Sequence, residues 1–100
     1  MTLIYITCRD KEQAVKISKH LLKKRLIACS NMFPIKSMYW WNKKIVDDDE
    51  IAIFAKTLSK NYEIIKKEVK KLHSYAIPCI LKINAESNKE YERWVKKETR

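Results

Sequence analysis

The sequence predicts an α+β domain with the element order β-α-β-β-α-β-α, and three observations carry that prediction. Short runs of β-branched and aromatic residues, Leu3–Cys8 and Cys79–Ile83 among them, read as strands. Between them lie segments whose apolar residues recur at helical spacing. In the middle, two long aromatic and β-branched arms flank Asn42-Lys43, which reads as a hairpin.

Each element has its own justification. Leu3–Cys8 carries bulky residues at both parities. Asp10 follows as a helix N-cap with Gln13 three residues on, the spacing of a capping box. Ala14, Ile17, Ser18, Leu21, Leu22 and Arg25 mark one helical face, while Lys16, Lys19, His20 and Lys23 fall outside it. No glycine closes this helix, so its end is expected between Lys23 and Leu26. The hairpin spans Leu26–Thr57, and Pro34 in its first arm requires an edge strand or a bulge. Fully extended, that arm reaches about 45 Å at about 3.3 Å per residue, against a radius of gyration near 13 Å for a chain of this length. The hairpin is expected to overhang its own domain. Ser59 is placed to cap a second helix through Leu72, with Tyr62, Ile65, Val69 and Leu72 as its buried stripe. His73-Ser74-Tyr75-Ala76 links it to the last strand. Ser87 and Glu90 form a second capping-box pattern, opening a helix with Tyr91, Trp94 and Val95 on one side.

That order is the split βαβ, or ferredoxin-like, sandwich with an extra C-terminal helix. Residues 1–100 read as a single domain, with no repeat or linker. Two crossover helices cover only one face of a four-stranded antiparallel sheet. A sheet with one wet face should alternate apolar and polar residues. Leu3–Ile6, Ile51–Ala55 and Cys79–Leu81 instead stay apolar at both parities. Leaving a face of several hundred Å² in water would forfeit several kcal/mol at about 25 cal/mol per Å². A homo-oligomer, sheets inward and hairpins reaching to neighbours, is the expected remedy.

Composition narrows the function. With no glycine at all, neither a Walker phosphate loop nor a dinucleotide fingerprint can be built. Cys8, Cys29 and Cys79 have no Cys-x-x-Cys spacing, which argues against a disulfide framework and a structural zinc site. The net charge of +10 is spread over several helices without an arginine–aromatic stripe, so solvated helix surfaces are expected rather than nucleic-acid binding. No segment approaches the roughly 18 apolar residues of a membrane span. No signal-peptide pattern opens the chain, so a cytoplasmic location is expected.

Arg25-Leu26-Ile27-Ala28-Cys29-Ser30-Asn31, Ser37-x-Tyr39-x-Trp41 with Lys44-Ile45, Glu50, Lys56-Thr57, His73-x-Tyr75-x-x-Pro78 and Trp94 follow one another in an order and spacing that resembles the CutA family of divalent-cation tolerance proteins. The resemblance covers essentially the whole chain. It implies a ferredoxin-like protomer in a compact homotrimer, similar in architecture to PII signalling proteins, and an association with tolerance to copper and other divalent metals without an established enzymatic reaction. This chain departs from the family pattern in four places: Lys43 stands where the hairpin glycine is usual, Ser74 interrupts His-Pro-Tyr, Cys79 replaces a frequent Glu after Pro78, and Leu72 precedes His73 where some relatives carry a second histidine.

Two candidate sites follow. Cys8 and His73 end or precede strands of one layer and match ligands attributed to copper in some family members. Thiolate and imidazole suit copper or another divalent metal ion, and a third ligand is expected from Cys29, Cys79 or a neighbouring subunit. Trp41, Glu50, Lys56 and Tyr75 form the second candidate, an inter-subunit cleft able to hold a small anion or metabolite, with His73 beside it. Tyr39, Trp40 and Trp41 also read as subunit-packing anchors, at least two of them in that role. Adjacent carboxylates in Asp47-Asp48-Asp49-Glu50 alternate faces along a strand and cannot converge on one ion. No nucleophile–base pair stands out, so no catalytic residue is assigned. A PII-like module binding a small ligand is the alternative to a metal-tolerance protein that itself binds copper.

Overall fold

A computed structural model describes residues 1–100. Strands β1 (Thr2–Cys8), β2 (Cys29–Trp41), β3 (Lys44–Thr57) and β4 (Ile80–Asn84) form one antiparallel sheet in the order β2-β3-β1-β4. Helices α1 (Lys11–Lys23) and α2 (Tyr62–Leu72) cover one face, and α3 (Lys89–Glu98) closes the chain. This is the ferredoxin-like order with its additional C-terminal helix.

Strand parity decides what each face meets. On β1, Thr2, Ile4, Ile6 and Cys8 are buried beneath the helices, joined there by Ile53 and Ala55 of β3 and by Ile17, Leu21, Ile65 and Val69 of the helices. Leu3, Tyr5 and Thr7 point to the opposite face. There Tyr5, Phe54 and Phe33 make a row of rings, each 5.4 Å from the next, and Leu81 and Ile83 are left half in water. Neither α1 nor α2 covers this side, and the short α3 reaches only its margin, where Tyr91 meets Cys29 at the start of β2. Most of the face stays open, as the apolar strand pattern anticipates.

Pro34 costs the sheet nothing, because β2 is an edge strand and its pairing with β3 runs without a bulge from Cys29 opposite Lys56 to Trp41 opposite Lys44. The hairpin extends well past the body of the protomer, whose longest dimension is 45 Å against 25 and 21 Å for the others.

Helix ends show where local chemistry was readable. Asp10 caps α1, its carboxylate accepting from the Gln13 N–H at 2.8 Å. The return bond of the box goes to the Arg9 N–H instead of to Asp10. At the other end, the Arg25 N–H donates to the Leu22 carbonyl and the Leu26 N–H to the Leu21 carbonyl, both at 3.0 Å. That is a Schellman motif, with Arg25 left-handed at φ 59° in the place glycine usually takes. Buried Leu26 and a 2.7 Å ion pair from Arg25 to Glu98 hold it. Two caps differ from expectation. Ser59 opens a 3-10 turn, Ser59–Asn61, so α2 begins only at Tyr62. Asn88, not Ser87, precedes α3, and the Ser87 hydroxyl donates to the Asn88 carbonyl. Leu22, Arg25 and Trp94, which share a helical face with buried residues in the sequence pattern, are exposed.

Asn42 and Lys43 both take positive φ, 50° and 63°, the type I′ geometry that matches strand twist. The missing glycine therefore changes the cost of the turn and not its type. Replacing Lys43 with Gly should raise unfolding stability by about 1 kcal/mol, since a side chain in the left-handed region costs about that much. Equal denaturation midpoints for the two proteins would refute it.

One polar cluster ties the helices together. Glu68, only 8% exposed, accepts from His20 at 2.7 Å and faces Lys71 at 2.9 Å and Lys24 at 3.4 Å. The His20 bond, then that from Lys71, holds the Glu68 carboxyl down at about 2. A carboxyl whose folded pKa lies below its unfolded one stabilises the fold above the unfolded value, and that contribution fades as pH falls towards the folded value. Between about pH 4.5 and 2, the wild-type chain should therefore lose stability more steeply than Glu68→Gln. Parallel stability–pH curves would show that the cluster is inert.

Candidate functional site

Three consecutive residues after α2 pin the loop before β4 to three different elements. The Tyr75 backbone N–H donates to His73 Nδ1 at 3.1 Å, which leaves the ring proton on Nε2. That proton is donated to the Thr7 carbonyl of β1 at 2.7 Å. The Ser74 hydroxyl accepts from the Gln13 side chain of α1 at 2.8 Å. Serine in this position thus supplies an anchor that a proline would lack. The Tyr75 hydroxyl donates to Glu50 Oε2 of β3 at 2.6 Å, and the His73 and Tyr75 rings lie 4.7 Å apart.

The anchored loop and the outer half of the hairpin, as far as Trp41 beside its turn, line a cleft of about 420 Å³ whose side chains are mostly apolar and aromatic. Glu50 and Tyr75 form its polar end; Tyr39, Trp40, Trp41 and Ile77 form its walls, with Thr7 and Cys79 also in the lining. Tyr39, Trp41 and Glu50 share one parity of the hairpin, so the strands aim them to the same side. Burial, then the Glu50 hydrogen bond, holds the Tyr75 hydroxyl well above the ordinary phenol range. The Cys79 thiol is raised by burial and by Glu50. The cleft is thus a carboxylate ringed by protonated groups.

Of the four residues expected in a cleft, Trp41, Glu50 and Tyr75 are brought together within one protomer. Lys56 is not. It lies six residues further along β3 on the same face, about 20 Å away at about 3.4 Å per residue. Its ammonium donates to the Asn31 side-chain oxygen Oδ1 and approaches Cys29 Sγ at 3.9 Å. Within one protomer the cleft therefore has no lysine to meet a small anion.

Of the metal candidates, Cys8 and His73 come near one another and Cys29 does not. Cys8 is fully buried on the helix-covered face, where burial, then Glu50 and Asp10, pushes its thiol up to about 12. Its thiolate is correspondingly scarce at neutral pH. His73 sits one residue away through its bond to Thr7, with both ring nitrogens engaged by backbone. Cys29 cannot complete the set. It lies on the opposite face, in register with Lys56 and Leu3 rather than with Ile51 and Cys8, and it bonds Asn31. No three His, Cys, Asp or Glu side chains gather into a metal-holding group.

Thr7, Tyr39, Trp40, Ala76, Ile77 and Cys79 were missed as lining residues. Strand parity with Glu50 could have found Tyr39; the others depend on how the loop after His73 folds back.

Comparison with known proteins agrees with this architecture. The family model described as CutA1 divalent ion tolerance protein matches residues 2–98. The divalent-cation tolerance protein CutA of Archaeoglobus fulgidus is 46% identical over 93 residues, covering 92% of this chain and 91% of that protein. The crystal structure of CutA1 from Pyrococcus horikoshii superposes with a TM-score of 0.95 at 39% identity, covering 100% of this chain and 99% of the other. A PII-like protein CutA from Nostoc sp. PCC 7120, solved in apo form, gives a TM-score of 0.92 at 26% identity over 100% of this chain and 98% of its own.

Proposed function

The chain belongs to the CutA1 divalent ion tolerance family, and from that premise we propose that it works as a homotrimeric, PII-like interaction module whose clefts bind a small ligand. The observation that carries this reading is the placement of the cleft. Glu50, Tyr75 and the hairpin aromatics sit where the uncovered sheet face meets the overhanging hairpin. Three protomers packed on that apolar face would cover Tyr5, Phe54, Leu81 and Ile83 and bring a neighbour's surface alongside each cleft. Three unbridged cysteines suit a reducing compartment, and the cytoplasm is the location that goes with it. We assign the protein no chemical reaction.

Copper or another divalent ion takes a secondary place in this reading. Ligation at Cys8 and His73 would have to ionise a thiol held up at about 12 and take His73 Nδ1 from the Tyr75 N–H. Binding there is accordingly weak, and tolerance is exerted through the clefts and their partners rather than by sequestering metal.

Thermal-shift screening of the wild-type protein against small metabolites, beside copper titrations of wild type and His73→Ala, tests both parts. A midpoint rise with a metabolite, abolished by Trp41→Ala, is the expected result. Silence across a broad panel would end the cleft reading. Tight copper binding that depends on His73 would restore a direct metal role.

A further inference from the structure

Resting on the reading of the cleft as a ligand site, we infer that its ligand is a small organic cation, an alkylammonium or quaternary ammonium group seated between the Glu50 carboxylate and the hairpin aromatics. Glu50 is 7% exposed, yet it pairs with no lysine, arginine or histidine of the chain. Tyr75 satisfies one of its oxygens. A buried carboxylate without a positive partner is costly to maintain, and this one faces an open cavity. The surroundings deepen the imbalance. Asp48, two residues along the same strand face, adds negative charge and accepts from the Tyr39 hydroxyl at 3.2 Å. A chain with 22 lysines and arginines places none of them in the lining.

The walls suit the same chemistry. Tyr39, Trp40, Trp41 and Tyr75 line the same cavity as the carboxylate, and ring faces attract cations, tryptophan most strongly. An anion would meet repulsion from Glu50 and Asp48. A bare divalent ion would find one buried carboxylate and no further set of ligands. A monovalent organic cation needs only what the cleft supplies, one charge-assisted bond and an aromatic enclosure.

Tryptophan fluorescence of the intact wild-type protein, titrated with propylammonium and tetramethylammonium chlorides, reads the site directly. Propanol and sodium propionate serve as the neutral and anionic isosteres. The ammonium ions should bind at least roughly tenfold more tightly than propanol, with propionate weaker still, and Glu50→Gln should remove that preference. Trp41→Leu, at a half-exposed position, should weaken the cations more than propanol, which keeps the test decisive even where Glu50→Gln folds poorly. Preference for propanol or propionate would overturn the cation assignment while leaving the cleft a ligand site. No binding of any probe would remove the cleft reading and this inference together. Light scattering in which Glu50→Gln alone breaks the assembly, with no ammonium binding to wild type, would overturn the inference by making a neighbour's basic side chain the missing cation.

Discussion

Phe54→Glu should convert the assembly to single chains. Phe54 is the middle ring of the Tyr5–Phe54–Phe33 row, with both neighbours at 5.4 Å, on the sheet face opposite α1 and α2. Burying a phenylalanine contributes about 1.5–3 kcal/mol, and a carboxylate in its place adds a desolvation penalty of several kcal/mol. In a closed trimer each loss recurs at three equivalent places. Light scattering at micromolar concentration should report three chains for the wild type and one for the variant. Ligand binding at the cleft should weaken with it. An unchanged mass for Phe54→Glu would mean that this face is not where the copies meet.

Ile53→Ala should cost about 2–5 kcal/mol of stability, the range for emptying a fully buried aliphatic site. Ile53 is wholly inaccessible and lies in β3, opposite Ile6 of β1 and Met32 of β2. β3 is also the strand that presents Glu50 on its other face, so the core beneath it sets how rigidly the cleft is held. With domains stable by only about 5–15 kcal/mol in total, the loss is a large share. Urea titration should show a lower midpoint with an unchanged slope; a midpoint within error of wild type would show that the core lies elsewhere.

The element order was readable because each element carries a period or a cap that local physics enforces. Asp10 caps α1 through Gln13 as its spacing implies, and the parity of Leu3 to Cys8 anticipated a second apolar face. What failed to be readable depended on register. Lys56 and Glu50 look close in sequence, yet six residues of extended strand separate them. Cys29 seems available to Cys8 until pairing puts them on opposite faces at different levels of the sheet. The loop from His73 to Tyr75 was legible as a motif but not as a geometry, because its three anchors reach Thr7, Gln13 and Glu50, all more than 20 positions away in the chain. Long-range bonds of that kind leave no periodic trace. The same holds for Lys56: counted with Glu50 in the sequence, it belongs to another neighbourhood of the protomer.

Arg25, Asn42 and Lys43 turn left-handed in a chain that contains no glycine. Their cost is confined to three backbone positions, whereas the benefit reaches the whole denatured ensemble. Avoiding glycine removes accessible conformers from the disordered chain, worth about 0.4–1 kcal/mol at each position where the native backbone tolerates a side chain. Melting then liberates less disorder than composition of the ordinary kind would allow, and thermal resistance rises without one additional contact in the native structure.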